Sequence, residues 1–332
     1  MDKLRFGVIG VGSRGMGNAR GVNRREDVEL VGVCDIDPER LKLCDEEGIA
    51  GKRYDNYREL LAEGLDAVCI NTDNNVHAEQ TIAAAELGCH VYCEKPIALT
   101  VEDAEAMVEA CKGVATVVNL SMRRSPSHRH LRDMVEQGAW GKLLCLGAAH
   151  PKPSGLLCQD KGHKATRAPQ VWGPILMHDG VHICEWLRFI GGEVESVFAR
   201  SVTTGDDPTN EEMISAVTVH EGGVMGSLSY MAMPFMDKRQ YVICEEASAW
   251  PSQDEEGPCI VVSRSKDDRE RLPVPEPELS GDDLAMEEFI RAIRDGSRPY
   301  ATMEDGLAGQ RIVDAIRRSA RSGELVELAT RR

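Results

Sequence analysis

Short apolar runs alternate with helical patterns over the first 120 residues of the chain. Runs rich in valine, isoleucine and cysteine predict buried strands, and apolar positions spaced three and four apart predict helices between them. The predicted strands are residues 5–10, 28–35, 65–71, 90–93 and 115–120. The predicted helices are residues 13–24, a segment opened by Asp37 and Pro38, residues 77–87 and residues 101–111. This alternation is typical of a parallel sheet with crossover helices.

The second half of the chain has longer strand patterns. They predict strands at residues 143–150, 194–203, 214–220 and 223–231, with a hairpin turn at residues 221–223. Residues 152–173 predict a long loop, and a proline-rich spacer at 273–277 precedes amphipathic helices at 282–295 and 303–322. We therefore expect an α/β nucleotide-binding domain over residues 1–120. Residues 121–332 are expected to form an α+β domain with a large open, mostly antiparallel sheet and C-terminal helices at 282–322.

The net charge and the cysteine content argue against some classes of function. The 332 residues include 39 Lys or Arg and 55 Asp or Glu, a net charge of −16, which argues against duplex DNA or an anionic membrane as partner. No apolar run is long enough to span a bilayer, and the charged N-terminus does not read as a signal peptide. The eleven cysteines have no repeating spacing. They favour buried thiols in a reducing cytoplasm, although Cys89, His90 and Cys93 leave a metal site open as a second interpretation.

A glycine motif follows the first predicted strand and precedes the first predicted helix. Residues 10–15 have the spacing G-x-G-x-x-G, with Gly10, Gly12 and Gly15 as the glycines and Ser13 and Arg14 between the last two. Glycines there permit a tight turn and close approach of a pyrophosphate to the helix N-terminus. A generic glycine-rich turn is the alternative.

Asp35 closes the second predicted strand, 20 residues beyond Gly15. A carboxylate at this point accepts hydrogen bonds from the ribose hydroxyls of an adenine dinucleotide and repels a 2′-phosphate. The sequence therefore predicts NAD as cofactor and favours it over NADP. In the alternative interpretation, Asp35 only caps a helix.

Lys95 lies at the carboxyl end of the predicted strand at residues 90–93, where open α/β sheets bind their ligands. Pro96 follows and stiffens the turn. A surface lysine paired with Glu94 is the alternative interpretation.

The sequence resembles the Gfo/Idh/MocA oxidoreductases, the sugar and inositol dehydrogenases that include glucose–fructose oxidoreductase. The resemblance rests on the glycine motif, residues 72–77, the segment His-Val-Tyr-Cys-Glu-Lys-Pro at 90–96, residues 174–192 and the closing helices, and so covers essentially the whole chain. It implies a Rossmann domain with a doubly wound parallel sheet, a C-terminal domain whose open sheet serves oligomer contacts, and a nicotinamide site between the domains.

The resemblance also implies roles for individual residues. Thr72, Asn74 and His77 would line the cofactor, Glu94 would hydrogen-bond the nicotinamide ribose, and Lys95 would touch both the cofactor and the reacting hydroxyl. Asp73 departs from the proline that is usual in the family.

A pair of histidines occupies the segment where the family has the pattern D-x-G-x-H. Alignment on Gly180 puts His182 at the position of the general base and His178 where aspartate is usual. A one-residue adjustment of the turn would bring in the carboxylate of Asp179. His178 is then expected to bind substrate or to orient His182. Two alternatives stay open: packed or solvated histidines, and a Zn²⁺ site made with Glu185.

Three further residues are candidate substrate contacts. Arg123 and Arg124 follow the fifth predicted strand and match a basic position of the family, and Trp172 is able to stack on a sugar ring. In the alternative interpretation, the two arginines are solvated surface charges and Trp172 packs in the core.

The leading hypothesis is an NAD-dependent dehydrogenase acting on a ring hydroxyl of a sugar, inositol or related polyol. Lys95 orients the hydroxyl and His182 takes the proton, because the unperturbed pKa of histidine lies near neutrality. One alternative is an enzyme that retains NAD and uses transient oxidation for epimerisation, elimination or glycoside cleavage. Another is a non-catalytic NAD-binding regulator. Family members suggest a homodimer or homotetramer, and no resident metal is expected.

Overall fold

The computed structural model describes residues 2–151, 169–203, 213–231, 239–276, 278–279 and 281–328. The chain forms two compact units. The first contains residues 1–120, 170–172 and 279–307, and the second contains residues 121–169, 173–278 and 308–332. Residues 279–307 therefore pack with the N-terminal unit, whereas the sequence analysis assigned them to the second domain.

The first unit is built on a six-stranded parallel sheet with the order β3-β2-β1-β4-β5-β6. Its strands are β1 (Leu4–Ile9), β2 (Val28–Cys34), β3 (Lys52–Tyr54), β4 (Ala67–Ile70), β5 (His90–Cys93) and β6 (Thr116–Val118). Its crossover helices are α1 (Ser13–Asn23), α2 (Pro38–Glu46), α3 (Tyr57–Leu61), α4 (His77–Glu86) and α5 (Val101–Ala110). This order confirms the predicted Rossmann topology. The strand β3 and helix α3 were not predicted.

Helix α10 (Gly281–Asp295) returns to this unit through an aromatic contact and surface ion pairs. The ring of Phe289 lies edge-on to Phe6 at 5.8 Å and to Tyr92 at 6.1 Å, and all three rings are buried. Arg25, which follows the end of α1, bonds Glu287 at 2.9 Å. Because edge-to-face aromatic pairs add stabilisation beyond the area they bury, Phe289 anchors the returning segment.

The second unit contains a nine-stranded sheet with the order β14-β13-β12-β11-β7-β10-β9-β8-β15. The strands are β7 (Leu143–Pro151), β8 (Val194–Val202), β9 (Met213–His220), β10 (Met225–Met231), β11 (Arg239–Cys244), β12 (Ser248–Asp254), β13 (Gly257–Ser263), β14 (Arg269–Pro273) and β15 (Val326–Glu327). Among them β7 and β10 pair in parallel, and the other pairs are antiparallel. This confirms the predicted open, mostly antiparallel sheet. Strands β11 to β14 were not predicted.

The helices of the second unit cover one face of its sheet. They are α6 (Ser121–Arg124), α7 (Pro126–Glu136), α9 (Val181–Gly191) and the later part of α11 (Met303–Ser322). The short helix α8 (Pro169–Trp172) ends in the first unit. Trp186 and Leu187 on α9 share a buried core with Leu146, Leu228 and Ile316. The opposite face of the sheet carries exposed apolar side chains, which are Phe198, Val217, Met225 and Tyr241.

Within the described part of the chain, no helix combines the length and the apolar character needed to cross a membrane.

Candidate functional site

The glycine motif forms a backbone cradle between β1 and α1. Gly10 has φ +80°, and a Cβ there would lie 2.8 Å from the backbone of Asn71 and Thr72. A Cβ on Gly15 would lie 1.7 Å from the carbonyl oxygen of Gly10, so only glycine fits at either position. Gly12 is the N-cap of helix α1 and has no side chain to cap it, so the first N–H groups of the helix face the place of a ligand. These features fit the pyrophosphate of a dinucleotide.

Ser13 and Arg14 are exposed in the first turn of α1. The Arg14 guanidinium lies 3.5 Å from the Asp282 carboxylate at the start of α10, an ion pair open to solvent on both sides.

Asp35 follows β2, beside the cradle, and is buried. Its Oδ2 accepts the N–H of Val11 at 2.8 Å, and its Oδ1 accepts the N–H of Asp37 at 3.0 Å. Arg40, which sequence reasoning missed, places Nη1 3.4 Å from Asp35 Oδ2 and 3.6 Å from a Cβ built on Gly12. The Oδ1 atom, with one donor, keeps a second lone pair for a ribose hydroxyl.

Residues 72–77 form the loop that begins α4, and most of its polar groups are engaged within the protein. Thr72 donates to Gln80 Oε1 at 2.6 Å, and the buried Asn74 donates its Nδ2 to the carbonyl oxygen of Trp172 at 2.6 Å. His77 is fully buried, with Nδ1 2.9 Å from Pro96 O and Nε2 3.1 Å from Thr72 O. Burial lowers the pKa of its imidazole.

Glu94 and Lys95 follow β5 at the carboxyl edge of the parallel sheet. Glu94 is buried and accepts hydrogen bonds from Asn119 Nδ2 at 2.5 Å and from Lys95 N at 3.2 Å. The Lys95 side chain is partly exposed, and the peptide bond between Lys95 and Pro96 is cis. Asn119, at the end of β6, was not singled out from the sequence, although the end of a neighbouring parallel strand is where such a partner is expected.

The two histidines lie in the second unit at the junction of two helical forms. Leu176–Gly180 is a single π-helical turn that leads directly into α9. Such a turn inserts one residue into the helical repeat and is frequent at functional sites.

This turn leaves His178 and His182 partly exposed in a segment whose neighbouring side chains are buried. Asp179 is also buried, with its Oδ1 3.8 Å from His178 Nε2. The structure therefore brings Asp179 to His178.

Arg123 and Arg124 are both buried, in α6. Arg123 Nε donates to Glu185 Oε2 at 2.6 Å, and Arg188 Nη1 bonds the other carboxylate oxygen at 3.0 Å. Solvated charge therefore does not describe Arg123. The Glu185 carboxylate is held between two cations, which also makes it a poor metal ligand. Among the residues that the structure describes, no group of three or more His, Cys, Asp or Glu is arranged to hold a metal ion.

Trp172 ends α8 in the first unit, and its carbonyl oxygen is the atom that holds Asn74. Its side chain is partly buried. Most of the loop predicted at residues 152–173 lies outside the described residues.

A stacked pair in the second unit was also missed from the sequence. His150 and Tyr230 are buried at the ends of the parallel strands β7 and β10, with ring centroids 6.2 Å apart and planes 11° apart. The pairing of these two strands, which are distant in sequence, could not be read from the pattern.

Comparison with known proteins adds independent findings. Residues 4–121 match the Gfo/Idh/MocA model described as an oxidoreductase family with an NAD-binding Rossmann fold, and residues 128–250 match the Gfo/Idh/MocA C-terminal domain. The chain is 29% identical to 1,5-anhydro-D-fructose reductase from Ensifer adhaerens, over 98% of this chain and 99% of that protein. It is 26% identical to myo-inositol 2-dehydrogenase from Thermotoga maritima, over 98% of each.

A solved structure also matches over nearly the full length. It is the WlbA dehydrogenase from Bordetella pertussis in complex with NADH and UDP-GlcNAcA, with a TM-score of 0.82, 25% identity, and coverage of 99% of this chain and 100% of that chain. The first unit is thus an NAD-binding Rossmann domain, in agreement with the cofactor predicted from the glycine motif.

Proposed function

Because the chain belongs to the Gfo/Idh/MocA oxidoreductase family, we propose that it is an NAD-dependent dehydrogenase acting on a secondary ring hydroxyl of a sugar, inositol or related polyol. The observation that carries the proposal is the placement of Lys95. Lys95 follows β5 at the carboxyl edge of the sheet that also carries the glycine cradle, where this fold binds its ligands.

In this proposal Lys95 donates a hydrogen bond to the reacting hydroxyl and favours its alkoxide, and His182 accepts the proton. Bound NAD supplies the hydride acceptor. Glu94, held by Asn119, accepts a hydrogen bond from the nicotinamide ribose. The Asp179 carboxylate, 3.8 Å from His178 Nε2, orients the His178 ring, which binds substrate oxygen in this proposal.

A screen of sugars, sugar acids and inositols with NAD, read at the absorbance band of reduced nicotinamide, tests the proposal. We expect net NADH formation with at least one polyol. Turnover of substrate without net NADH would instead identify an enzyme that retains and recycles NAD, the alternative motivated by His178 in place of aspartate. NAD binding with no turnover across the panel would identify a regulator.

We also propose that NAD is preferred over NADP, because the buried Asp35 carboxylate repels a 2′-phosphate. Replacing Asp35 by serine is expected to reverse the preference, since it removes this charge and releases the Arg40 guanidinium to pair with the phosphate. Fluorescence titration of both dinucleotides measures the change. The double variant Asp35→Ser/Arg40→Ala is the matched control and should lose the gain in NADP affinity. Tighter NADP than NAD binding by the wild type would contradict this assignment.

We further propose a homodimer or homotetramer assembled through the outer face of the nine-stranded sheet. Its support is the exposed Phe198, Val217, Met225 and Tyr241, since soluble monomers rarely expose contiguous apolar faces. Sedimentation equilibrium should show an oligomer that Val217→Glu dissociates. A monomeric wild type would contradict it.

A further inference from the structure

The buried ring of His77 lies between two loops of the first unit. One is the segment between β4 and α4, whose Thr72 carbonyl oxygen lies 3.1 Å from Nε2. The other is the turn after β5, whose Pro96 carbonyl oxygen lies 2.9 Å from Nδ1. The ring has no exposed surface, and both nitrogens face protein oxygens. It is therefore not available to a ligand in this state, in contrast to the cofactor contact that the family resemblance implied.

The Pro96 contact bears directly on Lys95. Glu94 precedes Lys95 and is fixed by its N–H bond to Ile70 O at 3.0 Å and by Asn119. Lys95 N is itself bonded to the Glu94 carboxylate. Pro96 follows Lys95, and His77 holds its carbonyl oxygen. Contacts on both sides thus fix the backbone from which the Lys95 side chain projects.

The two carbonyl oxygens compete for the hydrogen-bond donor of the His77 ring. A carbonyl oxygen only accepts, and a neutral imidazole carries a single N–H, so the neutral ring satisfies one of its two neighbours. Desolvation, the largest influence, lowers the pKa of His77, and Lys95 acts in the same direction. The two carbonyls and Glu94 act in the opposite direction. We assign the single N–H to Nδ1, because its contact with Pro96 O is the shorter of the two.

We propose that His77 is a positioning residue for Lys95, acting as a neutral imidazole that donates from Nδ1 to the Pro96 carbonyl oxygen. The inference rests on the proposed role of Lys95 in the reaction. His77 touches neither cofactor nor substrate in this proposal.

Two conservative variants separate the contacts of the ring. An asparagine amide nitrogen lies near the position of Nδ1, and a glutamine amide nitrogen lies near that of Nε2. His77→Asn therefore keeps a donor for Pro96 O, and His77→Gln keeps one for Thr72 O. We expect kcat of His77→Asn to stay within about threefold of the wild type. We expect kcat of His77→Gln to fall by about 10²-fold at an unchanged Kd for NAD, since a small misplacement of a catalytic group costs about this much.

Two readouts do not depend on turnover. Ring ¹⁵N shifts of His77 in the wild-type protein should show a neutral Nδ1–H tautomer at pH 7. The ¹³C-dimethylated Lys95 signal, assigned with Lys95→Arg, should be the same in the wild type and His77→Asn and shifted in His77→Gln. These decide the positioning role even if no polyol is oxidised.

Other outcomes overturn the inference. An Nε2–H or imidazolium ring at pH 7 would do so, as would equal Lys95 spectra in the two variants or a larger loss in His77→Asn. A change confined to KM for NAD would identify a cofactor contact instead.

Discussion

Replacing Lys95 by alanine is expected to lower kcat by about 10²–10⁴-fold, the range that a positioned proton-transfer or hydroxyl-polarising group contributes. The affinity for NAD should stay within a few-fold of the wild type, because the cradle at Gly10 and Gly15 and the carboxylate of Asp35 are built without Lys95. Steady-state kinetics on the polyol found in the screen give kcat, and quenching of protein fluorescence gives the Kd for NAD.

The matched control is Lys112→Ala. Lys112 is an exposed lysine of the same unit, paired with Glu109 on the surface, and its removal should leave kcat unchanged. Lys95→Arg keeps the charge but replaces a compact ammonium by a planar fork, so it should recover only part of the rate. Retained turnover in Lys95→Ala would remove Lys95 from the mechanism. A loss of NAD binding equal to the loss of rate would make it a cofactor-binding residue only.

The part of the fold that the sequence predicts well is the part governed by local rules. The Rossmann unit has short buried strands separated by helices. Its glycine motif needs glycine at both ends, Gly10 for the turn and Gly15 for the close packing of the helix. The strand His90–Cys93 has the predicted bounds, because its last three residues are buried and charged residues follow it. The three-residue strand Lys52–Tyr54 carries too few positions to show any period.

Long-range packing explains what the sequence could not predict. The amphipathic pattern of α10 shows which face is buried but not which unit covers it, and the contact of Phe289 with Phe6 and Tyr92 settles that. Strand β11 pairs with β7, and β12, β13 and β14 follow as successive neighbours in the sheet. Their strand conformation therefore depends on pairing within the sheet and not on the pattern of each segment alone.

In the candidate site, too, some residues could be identified from the sequence and others could not. Asp35 was identified from its spacing to the glycine motif, and Glu94 from the family resemblance. The groups that hold them, Arg40 and Asn119, come from other elements and carry no motif. His77 was identified as part of a motif, but its burial between two carbonyl oxygens depends on the fold. The role of such a residue depends on which groups it contacts in the fold, and a single sequence does not show those contacts.

Arg123→Met is expected to destabilise the second unit by about 3–5 kcal/mol, the usual cost of removing one partner from a buried ion pair. The Arg123 side chain is 8% exposed and that of Glu185 is 2% exposed, with 2.6 Å between Nε and Oε2. Methionine keeps much of the volume over the Phe189 ring, which the Arg123 guanidinium faces at 5.1 Å. The loss is therefore electrostatic, because the carboxylate stays buried with one cation fewer. Urea unfolding followed by tryptophan fluorescence measures it, since Trp186 lies in this core.

Arg132→Met is the matched control for this loss. Arg132 stacks on the same ring at 4.6 Å, but its ion pair with Glu136 is open to solvent, so its removal should cost less than about 1 kcal/mol. In the double variant Arg123→Met/Glu185→Met much of the stability should return, because no buried charge then lacks its partner. If Arg123 instead binds substrate, as the sequence suggested, the free energy of unfolding should stay unchanged and the KM for the polyol should rise. The two measurements therefore decide whether this arginine stabilises the helices behind the histidine segment or binds substrate itself.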